Sequence, residues 1–125
     1  MPRDDLYLVE MIEACRHIGV FLADIKPEAW VESELVRSAV LQKLIVLGEA
    51  AGAISSDCRE RHADIPWAKV RAFRNIAVHA YFAVEWPRVY AIALGDVPLL
   101  AEQLIGVLRA EHPGVAARLE PGGTQ

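Results

Sequence analysis

The segment from Arg71 to Phe82, RAFRNIAVHAYF, combines side chains that could act on a phosphate group. Arg74 would present a planar fork of donors that matches phosphate oxygens and stays charged at neutral pH. His79 follows Arg74 by five positions, and histidine can both accept and release a proton near neutral pH. These residue types predict cleavage of a phosphodiester bond.

The spacing of Arg74 and His79 restricts how both side chains could reach one phosphate. On one continuous helix His79 would lie about 140° from Arg74, because each residue turns by about 100°. Two arrangements would let both side chains reach one phosphate, and both remain open. The helix ends near His79, or a second copy of the chain completes the site. A two-fold axis here would supply the base and the acid from one histidine position.

RNA would supply its own nucleophile, the 2′-hydroxyl group. His79 would remove the hydroxyl proton, an acid would protonate the leaving 5′-oxygen, and Arg74 would stabilise charge on the phosphorus centre. No metal ion is required for this reaction. The alternative is that the polar residues form a structural network, because buried polar groups commonly satisfy one another. The spacing alone leaves both interpretations open.

Helices must position these residues, because the chain is rich in Ala, Leu, Val, Ile and Glu and has no strand pattern. We expect an all-α fold, an up-and-down bundle of four or five helices that spans residues 1–111. The apolar spacing predicts helices over residues 4–24, 33–54, 66–82 and from 87 onward, the last broken near Gly95 and Pro98. Residues 112–125 contain three glycines and two prolines and are expected to be disordered.

Gly48 and Gly52 are four residues apart on the second predicted helix, where they would let another backbone approach closely. Glu49 lies between them on an otherwise apolar helix face and is expected to pair with Arg71 or Arg74. Such a pair would hold the arginine in place or serve as a structural buried salt bridge. Several helices are apolar on more than one face, which predicts a homodimer.

The basic charge is concentrated around the motif although the net charge is −4. That net charge excludes a uniformly basic nucleic-acid-binding surface but allows a local patch. Five of the thirteen Lys and Arg residues lie within sixteen positions. Four of them are candidates for binding RNA phosphates, or form a solvated basic face: Arg59, Arg61, Lys69 and Arg71.

The remaining features favour a reduced, cytoplasmic protein without a metal site. Cys15 and Cys58 are too few for a disulfide framework and belong to no CxxC motif. The acidic N-terminus lacks the apolar segment of a signal peptide, and no apolar run is long enough to predict a membrane span. His62 and Asp64 are two apart, and no further ligand converges nearby in sequence, so we expect no metal there.

The segment RNIAVHAYF resembles the RX4HXY motif of the HepT-type toxins in the HEPN superfamily. Three further segments resemble successive blocks of that family in the same order: DLYLVEMIEACRHIGVFL, AVLQKLIVLGEAAGAIS and IPWAKVRAFRNIAVHAYFAV. With the DVPLL segment, the resemblance covers roughly residues 4–108.

The resemblance implies a homodimer with a metal-independent endoribonuclease site at its interface. Arg74 and His79 would be catalytic, with Asn75 orienting them. It also implies the toxin of a type VII-like toxin–antitoxin system, acting on mRNA or tRNA. The antitoxin would be an MNT-type nucleotidyltransferase that transfers AMP from ATP to Tyr81, so this chain itself needs no cofactor. AMP on Tyr81 would place a phosphate beside Arg74.

A second function fits the same residues. The chain would be a non-catalytic helical subunit of a nucleotidyltransferase complex, with the motif as its acceptor or nucleotide-binding surface. The two functions differ on His79, since only the ribonuclease needs its imidazole group.

Overall fold

The computed structural model describes residues 2–76 and 84–119, and every regular element in these ranges is helical. This confirms the all-α class. The elements in chain order are α1 (Asp4–Leu22), α2 (Pro27–Glu32), α3 (Glu34–Ala53), α4 (Ser56–Arg61), α5 (Trp67–Ala72), a 3₁₀ turn (Phe73–Asn75), α6 (Trp86–Ala91), a π-helical turn (Ile92–Asp96), α7 (Val97–Glu111) and α8 (Pro113–Leu119).

The core forms where α1 packs against both α3 and α7, while α5 and the 3₁₀ turn pack against α3. The apolar residues spaced three or four apart from Leu8 to Leu22 on α1 and from Val40 to Ala51 on α3 are buried, whereas Val36 and Ile25 are partly buried. Residues with the same spacing from Val89 to Leu108, on α6, the π-helical turn and α7, are buried as well. Apolar periodicity therefore identified the core faces of the long helices.

Local sequence signals account for several helix ends. Ser33, a residue type favoured at helix N-termini, caps α3: its hydroxyl accepts a hydrogen bond of 3.1 Å from the Val36 backbone N–H. Pro87 lies in the first turn of α6, where a missing N–H is tolerated. The break predicted near Gly95 and Pro98 is the π-helical turn between α6 and α7.

The third predicted helix, over residues 66–82, is not one continuous α-helix. Its α-helical part ends at Ala72, and Phe73–Asn75 continue as a 3₁₀ turn. Such turns tighten the ends of α-helices. Residues 77–83 lie outside the described ranges, and they include His79 and Tyr81.

Disorder was the wrong expectation for the first part of the C-terminal tail, because Pro113–Leu119 form α8. Ala116 is buried against the core, and α8 packs on α7. The Nη1 group of Arg16 on α1 donates a hydrogen bond of 3.3 Å to the Leu119 carbonyl. These tertiary contacts outweigh a glycine- and proline-rich composition. Residues 120–125 lie outside the described ranges.

The continuous helical stretch Trp86–Glu111 is long and apolar enough, by length and composition, to cross a membrane. The sequence alone predicted no such stretch. Its apolar side chains include Leu100, Leu104 and Leu108, which are buried inside the bundle. The core helix of a helical bundle passes the same test, so one such stretch is weak evidence for a membrane span.

Candidate functional site

The close approach between Gly48 on α3 and the 3₁₀ turn positions Arg74. A Cβ atom at Gly48 would lie 2.5 Å from the Arg74 backbone nitrogen and 3.0 Å from the Arg71 carbonyl oxygen. Real Cβ atoms do not approach backbone so closely, so only glycine permits this contact. The backbone approach predicted for Gly48 is confirmed.

The side chains of Arg71 and Arg74 extend along α3 toward Gly52. A Cβ atom at Gly52 would lie 3.5 Å from Arg74 Nη1 and 3.7 Å from Arg71 Nε. Among the described residues, neither arginine forms an ion pair. The Nε of Arg71 is buried and has no hydrogen-bond partner there. Two neighbouring guanidinium groups therefore lack a compensating carboxylate within these ranges.

The other predicted RNA-binding residues have partners elsewhere. Arg61 pairs with Glu111 at 2.7 Å, and Lys69 pairs with Asp96 at 3.2 Å. Arg59 donates a hydrogen bond to the Ile54 carbonyl. Arg71 and Arg74 therefore differ from Arg61 and Lys69, which form ion pairs, although Arg59 lines a further cavity together with Arg71.

A shallow cavity of about 230 Å³ lies beside the two arginines, lined also by Ala68, Ala72 and Asn75. Asn75 also lines a neighbouring cavity of about 200 Å³, together with Arg88 on α6. Sequence reasoning missed Arg88, which follows Pro87 in the first turn of that helix. Only the fold brings Arg88 to the same cavity as Asn75, because the two residues are not neighbours in the sequence.

Glu49 does not hold either arginine. Its side chain is exposed, and it forms no ion pair with Arg71 or Arg74. The expected pairing was wrong because Glu49 follows Gly48 by one residue, which turns it about 100° away from the face in contact with the 3₁₀ turn. The positions of Arg71 and Arg74 instead follow from the glycine contacts.

A comparison with protein-family models matches a range that contains all the arginine and glycine residues described above. The family model described as Ribonuclease HepT-like matches residues 11–107. The chain belongs to the ribonuclease HepT-like family. The matched range includes Gly48, both arginines and Arg88, and it also includes His79 and Tyr81.

Curated relatives of this HepT-like chain carry ribonuclease names. A Thermococcus cleftensis protein named "Probable ribonuclease HepT" is 31% identical over 94 residues, 75% of this chain and 86% of that protein. A Methanocaldococcus jannaschii protein named "Putative RNase MJ1380" is 29% identical over 98 residues, 78% of this chain and 90% of that protein. No solved structure matches the chain.

Outside the arginine region, the HepT-like chain has a second polar cluster between α4 and α7. The carboxylate of Glu111 accepts hydrogen bonds of 3.1 and 2.7 Å from the Arg61 guanidinium and also contacts the His62 imidazole. The bonds from Arg61, together with the contact from His62, lower the pKa of Glu111 to about 2. Glu111 is therefore ionised at neutral pH.

Proposed function

We propose that this HepT-like protein is a metal-independent endoribonuclease and the toxin of a type VII-like toxin–antitoxin system in the cytoplasm. The observation that carries the proposal is a pair of guanidinium groups, Arg71 and Arg74, on the glycine face of α3 beside an open cavity. Neither group forms an ion pair within residues 2–76 and 84–119. Positive charge without a nearby carboxylate attracts a phosphate diester strongly. The family match supports RNA as the substrate class.

The catalytic steps are those of cleavage by the substrate's own 2′-hydroxyl. His79 accepts the hydroxyl proton, and the 2′-oxygen forms a bond to phosphorus. The bond from phosphorus to the 5′-oxygen breaks, and an acid delivers a proton to that oxygen. The products are a 2′,3′-cyclic phosphate and a 5′-hydroxyl. Arg74 stabilises the extra negative charge on the phosphate oxygens during the transfer.

The other residues of the region have supporting roles in this proposal. Arg71 binds the phosphate beside the cleaved one, because it lines the same shallow cavity as Arg74. Asn75, which lines both neighbouring cavities, orients the reacting phosphate. Arg88 extends the cationic surface onto α6. A homodimer would bring a second His79 to the cleft, so that one imidazole serves as base and the other as acid.

Cleavage of a fluorescent RNA oligonucleotide tests the catalytic assignment. We expect the purified protein to cleave RNA in the presence of EDTA and to leave the same sequence in DNA intact, since DNA lacks the 2′-hydroxyl. Arg74→Ala and His79→Ala should each lower the rate by about 10²–10⁴-fold, as the loss of a general acid–base or an oxyanion-stabilising group does elsewhere.

Arg118→Ala provides the matched control for that experiment. Arg118 is exposed on α8, outside the range matched by the family model, and its loss should leave the rate unchanged. Unchanged cleavage by His79→Ala would overturn the enzyme assignment. If that variant still binds the nucleotidyltransferase, the non-catalytic subunit would be the better description.

We also propose that an MNT-type nucleotidyltransferase silences the toxin by transferring AMP from ATP to the hydroxyl of Tyr81. The Tyr81 oxygen would attack the α-phosphorus of ATP and release pyrophosphate. The new phosphodiester would bring negative charge close to Arg74 and occupy the position of the RNA phosphate. The expected result is a mass increase in steps of AMP when the two proteins are produced together, with loss of cleavage.

Substitution of each tyrosine by phenylalanine tests which tyrosine accepts AMP. Tyr81→Phe should abolish the added mass, whereas Tyr7→Phe and Tyr90→Phe should retain it. Tyr90 is the more informative control, because its hydroxyl already donates a hydrogen bond of 3.1 Å to the Ile25 carbonyl. AMP that persists on Tyr81→Phe would place the acceptor elsewhere.

A further inference from the structure

Three different metal-ligating groups meet between α4 and α7, outside the arginine region. The Cys58 sulfur, a His62 ring nitrogen and a Glu111 carboxylate oxygen all lie within 4.8 Å of one another. Cys58 and His62 are four residues apart at the end of α4, so both face the same side. Glu111 is the last residue of α7. The sequence alone did not single out Cys58, four positions before His62, as a ligand, and it could not place Glu111, which lies 49 residues from His62.

We propose that Cys58, His62 and Glu111 bind one zinc ion that joins the end of α4 to the end of α7. Thiolate, imidazole and carboxylate are the three ligand types that zinc uses in proteins. A thiolate and a carboxylate together balance the two positive charges of the ion.

The separations suit a tetrahedral ion after a small contraction. Ligand bonds of about 2.0–2.3 Å place neighbouring ligand atoms of tetrahedral zinc roughly 3.2–3.8 Å apart. From the present limit of 4.8 Å, the contraction needed is at most about 1.0–1.6 Å, whereas the His62 ring and the Glu111 carboxylate, already in direct contact, would move slightly apart. Cys58 is fully buried, whereas His62 and Glu111 are partly exposed, so the ion would enter from the solvent side. A water molecule would complete the fourth position.

Neighbouring groups already hold two of the ligands in place. Arg61 Nη2 donates to Glu111 Oε1 at 2.7 Å, which leaves Oε2 to exchange its present hydrogen bonds for the metal. The His62 carbonyl accepts a hydrogen bond of 3.0 Å from Trp67 Nε1, and the His62 N–H bonds to the Cys58 carbonyl at 3.1 Å. Outer partners such as Arg61 fix the orientation of metal ligands, whereas the two bonds to His62 fix its backbone.

The ion would have a structural role. α4 leads through a short connection into α5, which carries Arg71, so a link between α4 and α7 would fix the start of the arginine-bearing segment. The ion binds the folded chain, since the fold brings Glu111 to the other two ligands. Binding therefore raises thermal stability. Binding releases the thiol proton as the sulfur–metal bond forms.

Cobalt and zinc titrations of the tag-free protein, prepared in a chelator and then freed of it, test this proposal. We expect one Co²⁺ per chain with a thiolate-to-cobalt charge-transfer band, and displacement of Co²⁺ by Zn²⁺. Cys58→Ser should abolish the band and weaken zinc binding by more than about 100-fold. This loss exceeds the one expected when a residue that only contacts a ligand is removed. Cys15→Ser is the matched control, because Cys15 is the other buried free thiol and lies outside the cluster.

A second set of variants covers the case in which Cys58→Ser does not fold. His62→Ala and Glu111→Gln should also lose zinc binding, and Zn²⁺ should raise the melting temperature of the wild type but not of these variants. Arg61→Ala should still bind zinc, about 10- to 100-fold more weakly. No stoichiometric binding to the wild type would overturn the proposal. So would binding that survives in both His62→Ala and Glu111→Gln, because other histidines would then hold the ion.

Discussion

Gly48 is the single residue on which the position of Arg74 depends most directly. The Arg74 backbone nitrogen would lie 2.5 Å from a Cβ at that position, and backbone atoms cannot move aside as a flexible side chain can. The guanidinium groups of Arg71 and Arg74 lie over Gly52, where a Cβ would make ordinary contacts. The position of Arg74 therefore depends on the absence of a side chain at Gly48 on α3.

Gly48→Ala should destabilise the protein by about 1–3 kcal/mol, because an added methyl group in a tight contact forces the backbone to shift. The same shift displaces Arg74, so cleavage of RNA by the folded variant should also fall. Urea unfolding measures the loss of stability, and the fluorescent RNA oligonucleotide assay measures the loss of cleavage.

Gly106→Ala is the control for that substitution. Gly106 lies within α7 and a Cβ there would meet nothing within 4 Å, so alanine should stabilise the protein by about 0.5–1 kcal/mol through helix propensity. Equal stability of Gly48→Ala and Gly106→Ala would mean that the approach of the 3₁₀ turn to α3 is looser than the structure shows.

At the scale of elements, a buried carboxylate connects the start of α1 to the start of α4. Asp4 is 9% exposed, and its carboxylate accepts hydrogen bonds from Ser55 N at 2.9 Å and Ser55 Oγ at 2.6 Å. The Ser55 hydroxyl in turn accepts from the Cys58 N–H at 3.2 Å, which caps α4. The sequence placed Asp4 at a helix N-terminus but gave no sign of this partner.

Asp4→Ala should lower the free energy of unfolding by about 1–3 kcal/mol, since it removes a charged acceptor and leaves buried donors on Ser55 unpaired. Asp5→Ala is the matched control. Asp5 pairs with exposed Arg3 at 3.2 Å, a surface interaction that contributes little. Thermal melts that show equal losses for both variants would contradict the structural role of the Asp4 contact.

At the scale of the whole molecule, exposed apolar side chains favour assembly into the proposed dimer. Leu35 is 81% exposed and Val31 is 67% exposed. Val31 also lines an apolar cavity of about 400 Å³ together with Trp30 and Trp86. These residues lie at the end of the bundle where α6 begins, and α6 follows the motif in the chain. A second copy of the chain would cover this apolar surface.

Light scattering should report a dimer for the wild type and a monomer for Leu35→Lys. Because a dimer is proposed to supply the second His79, the monomeric variant should also lose RNA cleavage. Val20→Lys is the control, since Val20 is 70% exposed on α1. This variant should tolerate the charge and keep the molar mass of the wild-type assembly. A Leu35→Lys protein that remains a dimer would move the interface to another face.

The sequence by itself determined the helical class, the buried faces of α1, α3 and α7, and the N-cap at Ser33. These features depend on the spacing of residues near one another in the chain, and periodicity and capping are local. The RX4HXY motif and the family also follow from local pattern. The approach of a backbone to Gly48 could be predicted because two glycines one turn apart leave a helix face open.

Only the tertiary structure decided which charged side chains form ion pairs and which candidate metal-ligating side chains lie close together. Arg61 and Lys69 look equivalent to Arg71 in sequence, yet they pair with Glu111 and Asp96, which lie far along the chain. Glu49, expected to hold an arginine, is exposed instead. Arg88 lines a cavity together with Asn75, and Glu111 contacts His62, because of how the helices pack. Such contacts depend on which helix faces meet, and no local pattern encodes that.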